Sequence, residues 1–205
     1  MIHSLIAASV SMLVVILMLY WREAHHIPRG FTPSSLRVQG LVLLVYVIPA
    51  AVAMYANRES LASVGITKRN LWQSLFIGLG LVLLTFFLQS GGINSAKLAK
   101  VAAFHGMFLL SAACVGFEEE FLFRGFLQGR LIAALGTWKG WALASFMMAA
   151  IHLPHRVWVD NMTLGQSALS AIGLMPVSLF AGFVMLRTRN LVATGLFHTF
   201  ANLTS

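Results

Sequence analysis

The chain alternates between long uncharged apolar blocks and short basic connections. The blocks predict helices at about 4–21, 38–57, 71–90, 104–123, 131–152, 163–186 and 190–204. Most of these runs approach the ~20 residues that a helix needs to cross the hydrocarbon core of a bilayer. None alternates with period two, so a β-barrel is excluded, and in hydrocarbon a helix satisfies every backbone N–H and C=O internally. The expected fold is all-α, a polytopic transmembrane helical bundle of about seven helices. Six or eight also fit, because the last run is short and 163–186 offers Gly173 and Pro176 as break points. The connections carry the breakers: Pro28, Gly30 and Pro33 in the first, Gly65 in the second, Gly91 and Gly92 in the third. No Lys or Arg precedes the run Ser4–Tyr20, and Trp21, Arg22, His25 and His26 follow it in place of a small-residue cleavage site. It therefore reads as a retained first helix rather than a signal peptide. Residues 1–205 are expected to form a single membrane domain, a multi-pass integral protein of the cell membrane.

Composition supports this pattern. The chain is 59% hydrophobic and 10% charged, whereas soluble domains carry about 25% charged residues. Its net charge of +8 comes from 14 Lys+Arg against 6 Asp+Glu. The cations Arg22, Arg29, Arg37, Arg58, Lys68, Arg69, Lys97, Lys100, Arg187 and Arg189 lie between apolar runs. Such positions face anionic lipid headgroups, so the lipid bilayer, not nucleic acid, is the expected partner. Orientation is weakly specified: Arg22, Arg29 and Arg37 favour a cytoplasmic first loop, and Arg58, Lys68 and Arg69 in the second nearly balance them. The one cysteine, Cys114, sits in an apolar run. It reads as a small buried hydrophobe, since a nucleophilic cysteine needs its thiolate favoured.

The anomalous residues are polar ones inside apolar runs. Glu118, Glu119 and Glu120 follow Phe104–Phe117 and precede Phe121–Phe123. Each charge at bilayer depth costs roughly 2.5–3.5 kcal/mol on insertion scales, so such residues line wet cavities or pair with cations. Successive helical residues are about 100° apart, so the three cannot all face one pocket. Glu120 and Arg124 stand four apart, acid first, the favoured ion-pair order. Glu119 is then expected to project beside that pair, with Glu118 directed elsewhere, toward the interface. A solvated cap at a helix end is the competing reading. It is disfavoured because carboxylates oppose the dipole at a C-terminal end and apolar sequence continues beyond. Two further sites lie downstream: His152, before Pro154 and His155, and His198 with Asn202 one turn later on the same face. A carboxylate, two imidazoles and an amide together supply a general base, its partner and oxyanion donors.

These residues resemble the motifs of the CAAX-protease and bacteriocin-processing membrane peptidases, the abortive-infection-like family. The first family motif, Glu-Glu-x-x-x-Arg, is matched by Glu119-Glu120-Phe-Leu-Phe-Arg124, followed by Gly125. The second, Phe-x-x-x-His, aligns with Met148-Ala-Ala-Ile-His152, Met replacing Phe; the third, His-x-x-x-Asn, is matched by His198-Thr-Phe-Ala-Asn202. The likeness covers about 104–205.

The resemblance implies an intramembrane endopeptidase acting on a membrane-associated peptide or protein, which could be lipidated. Glu119 and His152 would hold and activate the attacking water, and His198 with Asn202 would donate to the oxyanion. Glu120 with Arg124 would fix the geometry of the first helix. No cofactor is assigned with certainty; a divalent metal such as zinc is conceivable on Glu119, His152 and His198, since these are zinc-ligand types. The soluble His-Glu-x-x-His pattern and any cysteine cluster are absent, and the reading leans metal-independent. Two other functions are open to the same residues: a non-catalytic bacteriocin-immunity or regulatory protein of the same fold, and a small proton-coupled carrier, which the lack of an inverted repeat disfavours.

Overall fold

Polar residues inside apolar helices decide how this bundle is assembled. The computed structural model describes residues 33–90 and 106–204, together with Ile6, Ser9, Val10, Leu13, Ile16, Leu17, Tyr20 and Trp21. Those eight are helical, and the Tyr20 ring meets Trp158 edge-on at 5.8 Å. The remainder of the expected 4–21 helix lies outside the described residues, as do the connection at 91–103 and the start of the expected 104–123 helix.

Among the described residues every regular element is helical. In order they are α1 (Pro33–Ala56), a 3₁₀ turn (Leu61–Val64), α2 (Leu71–Ser90), α3 (Gly106–Glu120), a π-helical segment (Phe121–Gln128), α4 (Gly129–Leu135), α5 (Thr137–Ala150), α6 (His152–Trp158), α7 (Leu164–Thr188) and α8 (Val192–Thr204). By length and composition one of these, Leu164–Thr188, is long and apolar enough to cross a membrane; Leu71–Phe87 and Val47–Ala56 are apolar but shorter. The all-helical expectation is therefore met, while the count of seven spans is not reproduced.

The boundaries differ from expectation for local reasons. The helix at 104–123 does not end there; it continues through the π segment and α4 to Leu135. The block at 131–152 is split at Gly136, whose φ of +82° ends α4 and starts α5, a conformation that glycine adopts without steric cost. It is split again at Ile151, before the short α6. Conversely, 163–186 does not break: α7 runs through Gly173 and Pro176 for 25 residues. It starts on a reciprocal Thr163–Gln166 capping box and ends at Arg189 in the left-handed region.

The π segment is the centre of the molecule. All eight of its residues are buried, including Arg124 and Gln128. π-helical turns are rare and concentrate at functional sites. Polar contacts fasten it to α7, and α7 in turn to α5. Arg124 Nη2 donates to the Ser178 hydroxyl and carbonyl at 3.1 and 3.2 Å. Gln128 Nε2 donates to Gly182 O at 2.9 Å, and Trp141 Nε1 to Leu179 O at 2.9 Å. Ser145 and Ser178 exchange hydroxyl-to-carbonyl bonds. In apolar surroundings such interhelical bonds fix register as well as adding stability.

On the other side, α8 packs between α2 and α3. Small residues allow the close approach: a Cβ on Gly116 would stand 2.7 Å from Thr199 N, and one on Gly195 would enter the Phe117 ring. The start of α8 is tied to the loop before α2. Leu191 N donates to Gly65 O at 3.0 Å, and Asn190 Nδ2 to Thr67 O at 2.8 Å and Arg69 O at 3.0 Å. These bonds set the height of everything α8 carries.

Candidate active site

Glu119 and Glu120 are adjacent near the end of α3, so their side chains diverge by about 100°, and two different jobs result. Glu120 is 1% exposed and engages two partners. Arg124 Nε lies 3.5 Å from its Oε2, and His198 Nδ1 lies 3.0 Å from its Oε1. Thr194, buried one turn before His198 on α8, is a further hydrogen-bonding neighbour of this carboxylate. The ion pair is thus desolvated, hydrogen-bonded on both sides, and anchored through Arg124 to Ser178.

Glu119 faces the imidazoles. Its Oε2 stands 3.7 Å from His198 Nε2 and 4.0 Å from His152 Nε2. These separations are too long for direct hydrogen bonds. A water beside the three atoms can bond to the carboxylate and an imidazole together. His152 Nδ1 lies 3.0 Å from the Met148 carbonyl. A carbonyl only accepts, so Nδ1 carries a proton there, and Nε2 faces Glu119. By the same logic the proton on His198 Nδ1 points at Glu120 and its Nε2 turns toward Glu119.

Asn202 is half-buried on α8, one turn beyond His198 and on the same helix face. Glu118 departs from expectation. It is not at an interface but 3% exposed, and it lines a separate apolar cavity of about 810 Å³ beside Cys114, Phe117 and Phe121. Burial follows from the helix continuing past the acidic cluster, so Glu118 is held inside the bundle rather than at a frayed end. His155 also stays apart, its Nδ1 3.5 Å from Asp160 Oδ2 at the half-exposed end of α6.

The metal question turns on ligand spacing. Tetrahedral zinc with bonds of about 2.0–2.1 Å holds neighbouring ligand atoms roughly 3.3–3.5 Å apart. The Glu119–His198 and Glu119–His152 separations of 3.7 and 4.0 Å are wider. Among the described residues no group of three or more His, Cys, Asp or Glu is arranged to hold a metal ion.

One comparison with known proteins bears directly on this cluster. The profile of the Rce1-like type II CAAX prenyl endopeptidases matches residues 101–204, about half of the chain. The chain belongs to this Rce1-like family. The family is one of membrane-embedded proteases, and the matched stretch contains Glu119, Glu120, Arg124, His152, His198 and Asn202 together. No curated protein and no solved structure matched the chain.

Sequence reasoning on the Rce1-like motifs did not reach the groups that support them: Thr194, Ser178, Ser145 and the Met148 carbonyl. Thr194 and Ser178 had a legible signal, since each is a hydroxyl within an apolar run. The role of Met148 had none, because its contribution is a backbone oxygen. That atom also explains why methionine suffices there: its carbonyl, not its side chain, orients His152.

Proposed function

We propose that the chain is an intramembrane endopeptidase that hydrolyses a peptide bond with a carboxylate-activated water. The observation that carries the reading is the convergence of His152 and His198, from two other helices, on Glu119 Oε2. Glu119 accepts the proton of a water that His152 Nε2 helps to hold, and the water oxygen attacks the substrate carbonyl carbon. His198, carrying both ring protons between the carboxylates of Glu119 and Glu120, donates from Nε2 to the oxyanion, and Asn202 adds its amide. Glu119 then passes the proton to the departing amine as the C–N bond breaks. The products are a carboxylic acid and an amine, which exchange a proton to leave as carboxylate and ammonium, and the base is restored. General base and oxyanion groups of this kind each contribute roughly 10²–10⁴-fold. Glu120 and Arg124 act as positioning residues that hold His198.

A multi-pass placement in the bilayer, as one membrane domain, supports this chemistry. Helices α2 and α7 expose large apolar side chains along their length, among them Trp72, Phe76, Leu83, Leu164, Leu169 and Ile172. Contiguous apolar surface on this scale suits lipid rather than water. Leu71–Ser90, together with the apolar stretches around α1, α3 and α5, would accompany α7 across the membrane.

The step needs no metal, which can be tested directly. The purified full chain, reconstituted in liposomes and offered a panel of membrane-anchored peptides, is expected to cleave a subset of them. Activity is expected to survive prolonged treatment with EDTA and 1,10-phenanthroline, with less than a twofold loss. Cleavage abolished by chelation and restored by zinc would replace the carboxylate mechanism with a metal-assisted one. No cleavage across prenylated and unprenylated panels alike would remove the peptidase reading.

A further inference from the structure

A second cavity, of about 400 Å³, opens between the loop before α2, the π segment and the end of α7. Arg69, Arg124 and Arg189 line it, with Ser63, Thr67 and Gln128 beside them and no carboxylate among the lining residues. Arg124 is 2% exposed, and its Nη1 has no hydrogen-bond partner. Gln128 is equally buried, and its Oε1 also lacks one. Both atoms are shut off from solvent, and Gln128 Oε1 stands beside Gly182 and Trp141. Glu120 pairs with Arg124, and the nearby Glu59 is engaged by Arg130. The exposed Arg69 and Arg189 therefore present their charge in this cavity to an anion from outside the chain.

The depth of the cavity indicates what that anion is. Arg58, Lys68, Arg69, Arg187 and Arg189 gather at this end of the bundle and are exposed. Tyr55 and Trp72 are exposed just inside them. Cations with a girdle of aromatic residues mark the headgroup layer of a bilayer. Basic pockets between helices at that level take lipid phosphates. Ile132, Met185 and Leu186 complete the cavity wall, an apolar flank for the first part of an acyl chain.

We infer that this cavity binds the headgroup of an anionic phospholipid, its phosphate on the exposed Arg69 and Arg189, with Arg124 in the wall behind them. Arg124 lines the same cavity and pairs with Glu120, which in turn holds His198. The bound lipid thus lies against the cation that positions the site. The inference takes the bilayer placement from the reading above but none of its peptidase chemistry.

The test uses the full chain in nanodiscs containing equal phosphatidylglycerol and phosphatidylcholine, released into native mass spectrometry. Phosphatidylglycerol is expected to be retained preferentially. A double variant, Arg69→Gln with Arg189→Asn, keeps a residue tolerant of the left-handed conformation at 189. It is expected to lose that preference roughly thirtyfold, about the weight of two headgroup-level cations. Arg58→Asn with Lys68→Gln removes equal charge outside the cavity and is expected to leave the preference within about threefold. Equal losses in both variants would overturn the site in favour of diffuse attraction. Displacement of the lipid by millimolar inorganic phosphate would reassign the cavity to a free anion and overturn the lipid assignment. Insertion without any phosphatidylglycerol preference would overturn this inference alone. Failure to insert would overturn the bilayer reading with it.

Discussion

Replacing Glu119 by Gln is expected to lower peptide cleavage by roughly 10²–10⁴-fold while leaving the fold intact. The amide keeps the size and reach of the side chain but cannot accept a proton from water. Glu119 Oε2 stands 3.7 and 4.0 Å from its two imidazole neighbours, so little structure depends on its charge. The melting temperature is expected to stay within a few degrees of the parent. The loss belongs in kcat rather than KM, because the base acts in the transition state and not in binding. Scanning unfolding and cleavage kinetics on the same preparation check both parts. An active Glu119→Gln variant would remove Glu119 from the chemistry.

Arg124→Ala is expected to show the opposite balance, with a large structural cost. Arg124 is nearly fully buried, pairs with Glu120, and fastens the π segment to Ser178. Its loss leaves a buried carboxylate without its cation, and breaking such a pair by removing one partner costs about 3–5 kcal/mol. For a chain of this length that corresponds to a fall in melting temperature on the order of 10 °C. Arg124→Gln combined with Glu120→Gln removes both charges and is expected to regain most of the stability, because two neutral groups can still hydrogen-bond. Catalysis is not expected to return with it, since His198 then lacks the carboxylate on Nδ1. Recovery of full activity in the double variant would show that Glu120 has no positioning role. Thermal unfolding of the single and double variants, read beside cleavage, separates the two effects.

The legible and illegible parts of this molecule divide along physical lines. Apolar continuity marked α2 to its described limits, because Leu71–Ser90 is uncharged throughout and mostly apolar. The same signal failed at 104–135, where Glu118, Glu119, Glu120, Arg124, Gln128 and Arg130 interrupt the apolar pattern without interrupting the helix. Burial of those groups is supported by partners distant in sequence, such as Ser178 and His198, which a local window does not contain. Gly136 divided a block that looked continuous, because a single positive φ reverses the chain. Pro176 divided nothing. The pairing of Glu120 with Arg124 followed from four-residue spacing alone. Turning Glu118 away from Glu119 and Glu120 also followed from helical geometry, whereas its destination in an apolar cavity did not. The arginine-lined cavity was invisible in sequence, because Arg69, Arg124 and Arg189 come from three distant stretches.

The proposed chemistry requires one water held between Glu119 and the two imidazoles. An experimental structure of the full chain in nanodiscs, at a resolution that shows ordered solvent, tests it most directly. The account expects a water within hydrogen-bonding distance of Glu119 Oε2 and His152 Nε2, with His198 Nδ1 still on Glu120. A dry site, or His152 and His198 turned to different faces of the bundle, would contradict it.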